Sequence, residues 1–140
     1  MKSRIHVAVV GLRFGAEFIP IYLHHPNVKT LTICDPDEEA LSAWGEKYRV
    51  ERRARSLDDV LASGHIDAVH LVTPVNVHAE QSAAVLEAGK HCACTIPMGL
   101  TIDELTTVIA AQRNSKKNYM MMETAVYTRE FLFVKGLMAS

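Results

Sequence analysis

The chain has 140 residues, a hydrophobic fraction of 49% and a formal net charge of −1, which suits one soluble domain with a sizeable core. Dispersed, near-neutral charge leaves no electrostatic footprint for nucleic acid or an acidic membrane. No apolar run reaches the roughly 18 to 20 residues of a membrane span, and the N-terminus enters a strand-like run without a signal-peptide core, so a cytoplasmic protein is expected.

The first strand is predicted at residues 4–10, through Ile5-His6-Val7-Ala8-Val9-Val10. Gly11-Leu12-Arg13-Phe14-Gly15-Ala16 follows it directly. A strand, a glycine-rich turn and a helix form a dinucleotide site: the first glycine makes the tight turn, a second lets backbone approach a pyrophosphate, and a third small residue packs the helix on the strand. Gly11 and Ala16 fit the first and third slots, while Arg13 stands in the second, with Gly15 and the guanidinium as compensation. Phe14 lies within the same turn. Pro20 removes a helical donor and crowds the carbonyl of Ala16, so the first helix either kinks or starts its regular part late.

The second strand, predicted at 29–35, ends in Asp35, 19 residues after Ala16. That is close to the spacing at which an acid meets the ribose hydroxyls of NAD. Asp35 is therefore a candidate for ribose binding, for capping the next helix, or for both. Pro36, Asp37, Glu38 and Glu39 announce that helix, and Leu41, Trp44 and Tyr48 keep helical spacing. Further strands are predicted at 50–54, 67–73, 91–95 and 119–123. Between them run helical stripes at Ala79, Ala83 and Leu86, stopped by Gly89, and at Leu105, Val108, Ile109 and Gln112, opened by the capping box Thr101/Glu104. Arg52, Arg53 and Arg55 read as a solvated strand end, His70 as a hydrogen-bonded core histidine, and Met120, Met121 and Met122 as core filler. Glu123, at the end of the last strand, is a candidate to face the cleft without a partner.

Strands and helices taking turns predict an α/β fold with a doubly wound parallel sheet of the Rossmann type. The expected organisation is a dinucleotide-binding domain over 1–125 and a helix within 126–140. In that segment Phe131, Val134, Leu137 and Met138 form an apolar face that is expected to fold back on the sheet's helices or to pair with a second copy, giving a homo-oligomer. Cys34, Cys92 and Cys94 lie in apolar strands and read as buried reduced thiols. No metal site is expected.

With this order of elements, the chain resembles the N-terminal nucleotide-binding domain of the glucose-fructose oxidoreductase and inositol dehydrogenase family (Gfo/Idh/MocA) over essentially its whole length. Three passages carry the likeness: Val9 to Glu17, Asp67 to Pro74 running on to His78, and Ala88-Gly89-Lys90-His91 followed by Cys94-Thr95-Ile96-Pro97. The resemblance implies that Thr73, Pro74 and Val75 after the fourth strand, and Thr95 and Pro97 after the fifth, line the nicotinamide side of the cleft. For His78, packing next to the cofactor and surface exposure are both open. Dehydrogenase members usually carry Glu-Lys-Pro where this chain reads Thr95-Ile96-Pro97, and Ile96 cannot polarise a substrate oxygen as the lysine does. The family's asparagine after Thr-Pro is replaced by Val75, with Asn76 one place later.

The resemblance further implies a second, substrate-holding domain that this chain lacks, and a fragment of a longer protein is favoured. The expected ligand is a nicotinamide dinucleotide, NAD rather than NADP, with a small-molecule substrate only when the second domain is present. No catalytic residue is assigned within the chain. Two functions follow: the cofactor domain of an oxidoreductase acting on a sugar, polyol or related hydroxy compound by hydride transfer, or an NAD-binding module without dehydrogenase turnover, as in an NAD-assisted lyase or hydrolase or a regulatory relative.

Overall fold

A computed structural model describes residues 4–139; Ser140, the last residue of the expected C-terminal helix segment, lies outside them. Six strands form one sheet: β1 (Ile5–Val10), β2 (Val28–Cys34), β3 (Arg52–Ala54), β4 (Ala68–Leu71), β5 (His91–Thr95) and β6 (Tyr119–Met122). Their spatial order is β3-β2-β1-β4-β5-β6, and every neighbouring pair is parallel. Parallel neighbours need crossover connections, and helices supply them: α1 (Ile19–His24), α2 (Glu38–Lys47), α3 (Leu57–Ala62), α4 (His78–Glu87) and α5 (Ile102–Ser115). A last helix, α6 (Arg129–Met138), follows β6. This is the Rossmann arrangement, as the alternation of elements predicts.

Alternate strand residues point to opposite faces, so two cores form. Ala8, Val10, Val69, Leu71, Cys92 and Cys94 pack with Val60 of α3, Ala83 and Leu86 of α4, and Val108 of α5. Val7, Val9, Leu31 and Ile33 pack on the other face with Ile19 of α1 and Leu41 of α2. The three thiols are free and buried, and burial pushes those of Cys34 and Cys92 up to about 12.

Local chemistry sets the boundaries. Pro20 is tolerated because the chain enters as a 3₁₀ turn at Gly15–Phe18 and the α-helical part begins only at Ile19. The late start is the outcome, not the kink. Thr101 and Glu104 close the expected capping box, and Gly89 ends the preceding helix with φ of +73°. The short α3 carries its own capping box, Ser56 with Asp59, which a six-residue helix cannot announce by periodicity.

Three expectations change. Ile109 is exposed, and the buried stripe of α5 is Val108 and Ala111, with Leu105 and Gln112 half-buried. Met120 and Met121 are 54% and 49% exposed rather than core, because β6 is an edge strand. Helix α6 packs mainly against the short turn Ala125–Tyr127 and does not fold back on the sheet's helices, so Phe131, Phe133, Val134 and Met138 remain exposed.

Candidate cofactor site

Register places the site. Ala54, Cys34, Val10, Leu71 and Cys94 lie in one transverse row across five strands. The residues that follow them, Gly11, Asp35, Val72 and Thr95 among them, therefore emerge along a single edge at the carboxyl ends of the strands. The strand order reverses between β1 and β4, and open α/β sheets bind ligands in the crevice outside that reversal.

Gly11 leaves β1 with φ of +90°, and a Cβ there would lie 2.5 Å from the carbonyl oxygen of Val72. Only glycine permits so close an approach of the two strand ends. A Cβ on Gly15 would lie 3.1 Å from Val9 Cγ1 and 3.3 Å from Val72 Cβ. Gly15 thus occupies the tight contact between the turn and the strands, while Ala16 is buried in the α1 core. Leu12 is fully buried and anchors the turn. Arg13 and Phe14 are exposed at its tip, and among the described residues the Arg13 side chain forms no hydrogen bond or ion pair.

Asp35 is 9% exposed, and its carboxylate holds the turn from the side: Oδ2 accepts from the Leu12 amide at 2.7 Å and Oδ1 from the Asp37 amide at 2.9 Å. Asp37, not Asp35, caps α2, accepting from the amides of Glu39 and Ala40. The acid at the end of β2 is left with lone pairs at the mouth of the turn. A glycine that a Cβ would crowd, an exposed Arg13 and a carboxylate at the switch point fit a dinucleotide, with backbone approaching its phosphates and Asp35 accepting from a ribose diol. Arg52, Arg53 and Arg55 are exposed as expected, and Arg55 pairs with Glu38.

The other half of the edge is built from the exits of β4 and β5. Thr73 Oγ1 donates to Gln81 Oε1 at 2.7 Å, and Thr95 Oγ1 donates to the carbonyl of Leu71 at 3.4 Å. Pro74, Val75, Asn76, Ile96 and Pro97 are exposed around this opening. His78 is buried at 1% exposure, with Nδ1 2.8 Å from the Pro97 carbonyl and Nε2 2.8 Å from the Thr73 carbonyl. Surface exposure of His78 is thereby ruled out. Gln81 went unnoticed in the sequence, where an amide three residues into a helix looks like any solvated side chain. The carboxylate of Glu123 accepts from the Ala125 amide at 2.7 Å and so supports the chain after β6.

His70 lies behind the crevice, 1% exposed, with Nδ1 3.0 Å from the Tyr22 hydroxyl and its ring edge-on to Phe18. It is the hydrogen-bonded core histidine that was expected, and burial lowers its pKa to about 4. Among the described residues no group of three His, Cys, Asp or Glu side chains is placed to hold a metal ion, and no helix is long and apolar enough to cross a membrane.

The sheet order, the crowded glycine and the acid after β2 define a nucleotide-binding domain of the Rossmann class. Residues 5–123 match the profile described as "Oxidoreductase family, NAD-binding Rossmann fold", and the chain belongs to this Gfo/Idh/MocA family. A glycosyl hydrolase family 109 protein of Shewanella baltica (strain OS155 / ATCC BAA-1091) is 30% identical over 143 residues, spanning 96% of this chain and 31% of the relative. The WlbA dehydrogenase from Bordetella pertussis, solved with NADH and UDP-GlcNAcA, is 27% identical, with a TM-score of 0.85 over 97% of this chain and 42% of that one. The myo-inositol 2-dehydrogenase of Lactobacillus plantarum, 21% identical, superposes with a TM-score of 0.87 over 98% of this chain and 41% of that one. The chain spans about a third of the length of the curated relatives it matches.

Proposed function

We propose that this chain is the NAD-binding part of an oxidoreductase that acts on a sugar, polyol or related hydroxy compound. The observation that carries the reading is the carboxylate of Asp35, tied to the glycine turn at the point where the strand order reverses. Gly11, Arg13, Phe14, Gly15 and Ala16 would hold the pyrophosphate, Asp35 the adenosine ribose, and Thr73, Pro74, Val75, His78, Thr95 and Pro97 would surround the nicotinamide half, in contact or one layer back. When bound, the nicotinamide supplies or accepts a hydride. In this reading the chain's own residues bind and orient, and none of Ile96, Val75 and Thr95 is suited to take a substrate proton at neutral pH. NAD is favoured over NADP because Asp35 would repel a 2′-phosphate, and its nearest chain neighbours Pro36, Asp37 and Glu38 offer no positive charge.

A second reading rests on Ile96, which is 44% exposed at the opening and carries neither donor nor charge. It accords with the name of the Shewanella relative. Here NAD would serve transient oxidation during glycoside hydrolysis, without net turnover of the cofactor. The intact protein, incubated with NAD and a panel of inositols, hexoses and N-acetylhexosaminides, separates the two. Substrate-dependent growth of reduced-nicotinamide absorbance supports the first; release of free sugar without it supports the second. Neither signal on any compound contradicts both.

A further inference from the structure

We propose that His78 is a positioning residue, whose buried imidazole ties the turn after β4 to the turn after β5 and so fixes the two walls that receive the nicotinamide half of the cofactor. The inference rests on the dinucleotide reading above. A doubly wound sheet consists of two mononucleotide-binding halves. With the β1 turn and Asp35 engaging the adenosine half, the exits of β4 and β5 are left for the other.

His78 is the first residue of α4, and its ring reaches both exits at once, 2.8 Å from the carbonyl of Thr73 and 2.8 Å from that of Pro97. Carbonyl oxygens only accept, so each tie needs an N–H of the ring: a neutral imidazole donates to one of the two carbonyls at a time, and donating to both at once requires its doubly protonated form; both distances fall within hydrogen-bond range. The imidazole is 1% exposed and makes no use of the cleft itself. The same helix face holds the β4 exit a second time: Gln81, one turn on, accepts from Thr73 Oγ1 at 2.7 Å. The β5 side is packed against this helix as well, since a Cβ on Gly99 would stand 3.4 Å from Ala79 Cβ. Pro74, Val75, Ile96 and Pro97, the exposed residues on either wall, make no such tie by themselves. Removing the imidazole would take away the tie between the Thr73 and Pro97 carbonyls and leave the two turns beyond the β4–β5 ladder held together, among the side-chain hydrogen bonds of the described residues, only by the longer one from Thr95 Oγ1 to the Leu71 carbonyl, while Gly11 and Asp35 keep their contacts on the far side of the switch point.

The test compares NAD with ADP-ribose, which lacks the nicotinamide ring, by calorimetric titration of the full chain and of its His78→Ala and His78→Gln variants. His78→Ala is expected to weaken NAD about tenfold while changing ADP-ribose by no more than about twofold, with partial recovery in His78→Gln, which keeps a donor. Equal losses on both ligands, or no loss on NAD, overturn the clamp. Should neither variant fold, the ring nitrogens of His78 in the wild-type chain are followed by NMR. They are expected to shift with NAD and not with ADP-ribose, and an equal response to both overturns the proposal. Failure of the wild-type chain to bind either ligand contradicts the cofactor reading itself and removes the clamp with it.

Discussion

The amide of Leu12 donates to Asp35 Oδ2 at 2.7 Å, so the carboxylate that ends β2 also sets the shape of the turn that ends β1. One side chain thereby links the two sequence features that point to a nucleotide. Replacing it does two things. Asp35→Ala leaves the buried Leu12 amide without its acceptor, which costs about 1–3 kcal/mol, and it removes the proposed ribose partner. Denaturant unfolding is expected to show that loss, and titration to show weaker NAD binding with a narrower gap between NAD and NADP. An unchanged gap would separate Asp35 from cofactor choice.

The two turn glycines are expected to differ. Gly11→Ala forces a positive φ on a residue with a Cβ and drives that Cβ to 2.5 Å from a backbone oxygen that cannot step aside, a combined cost of about 2–6 kcal/mol. Gly15→Ala meets side-chain carbons at 3.1 and 3.3 Å, which repacking relieves at about 1–3 kcal/mol. Thermal melts of both variants check the order, and a more severe Gly15→Ala would contradict the geometry.

Much of this is legible in the sequence alone. Six strands, the crossover helices except α3, the glycine turn and Asp35 all follow from periodicity, spacing and caps, because each of those signals is local. What escaped is relational. Ala16 takes the third, helix-packing slot by spacing, yet in space the close contact of the turn with the strands is made at Gly15, and sequence slots do not reveal which Cβ meets Val9 and Val72. His78 was ambiguous for the same reason: its partners are carbonyls of Thr73 and Pro97, one of them 19 residues away, and a carbonyl has no sequence identity. The methionines of β6 misled because apolar composition says nothing about whether a helix covers the strand.

His70 gives the fold an acid limb. Burial holds its pKa near 4 against 6.5 for the free side chain, so the folded state favours the neutral ring. The stabilisation is complete above about pH 6.5 and is lost as the pH falls toward about 4, amounting to roughly 3 kcal/mol. His70→Phe, which packs between Phe18 and Tyr22 without titrating, is expected to flatten the fall of the denaturant midpoint across that interval. An acid limb of wild-type steepness in the variant would assign it to other groups.

Phe131, Phe133, Val134 and Met138 leave α6 with an apolar surface in water, 43%, 68%, 51% and 85% exposed. Surfaces of this kind associate. Sedimentation of the chain is expected to show a dimer or higher assembly, and a version ending at Ala125 a monomer. Identical monomeric behaviour of the two would remove α6 as a contact surface.

The most direct measurement is calorimetric titration of the purified 140-residue chain with NAD and with NADP. With a turn opened by Gly11 and a carboxylate at Asp35, NAD is expected to bind, and to bind more tightly than NADP. Heat from neither cofactor, or tighter binding of NADP, would contradict the assignment of this edge of the sheet.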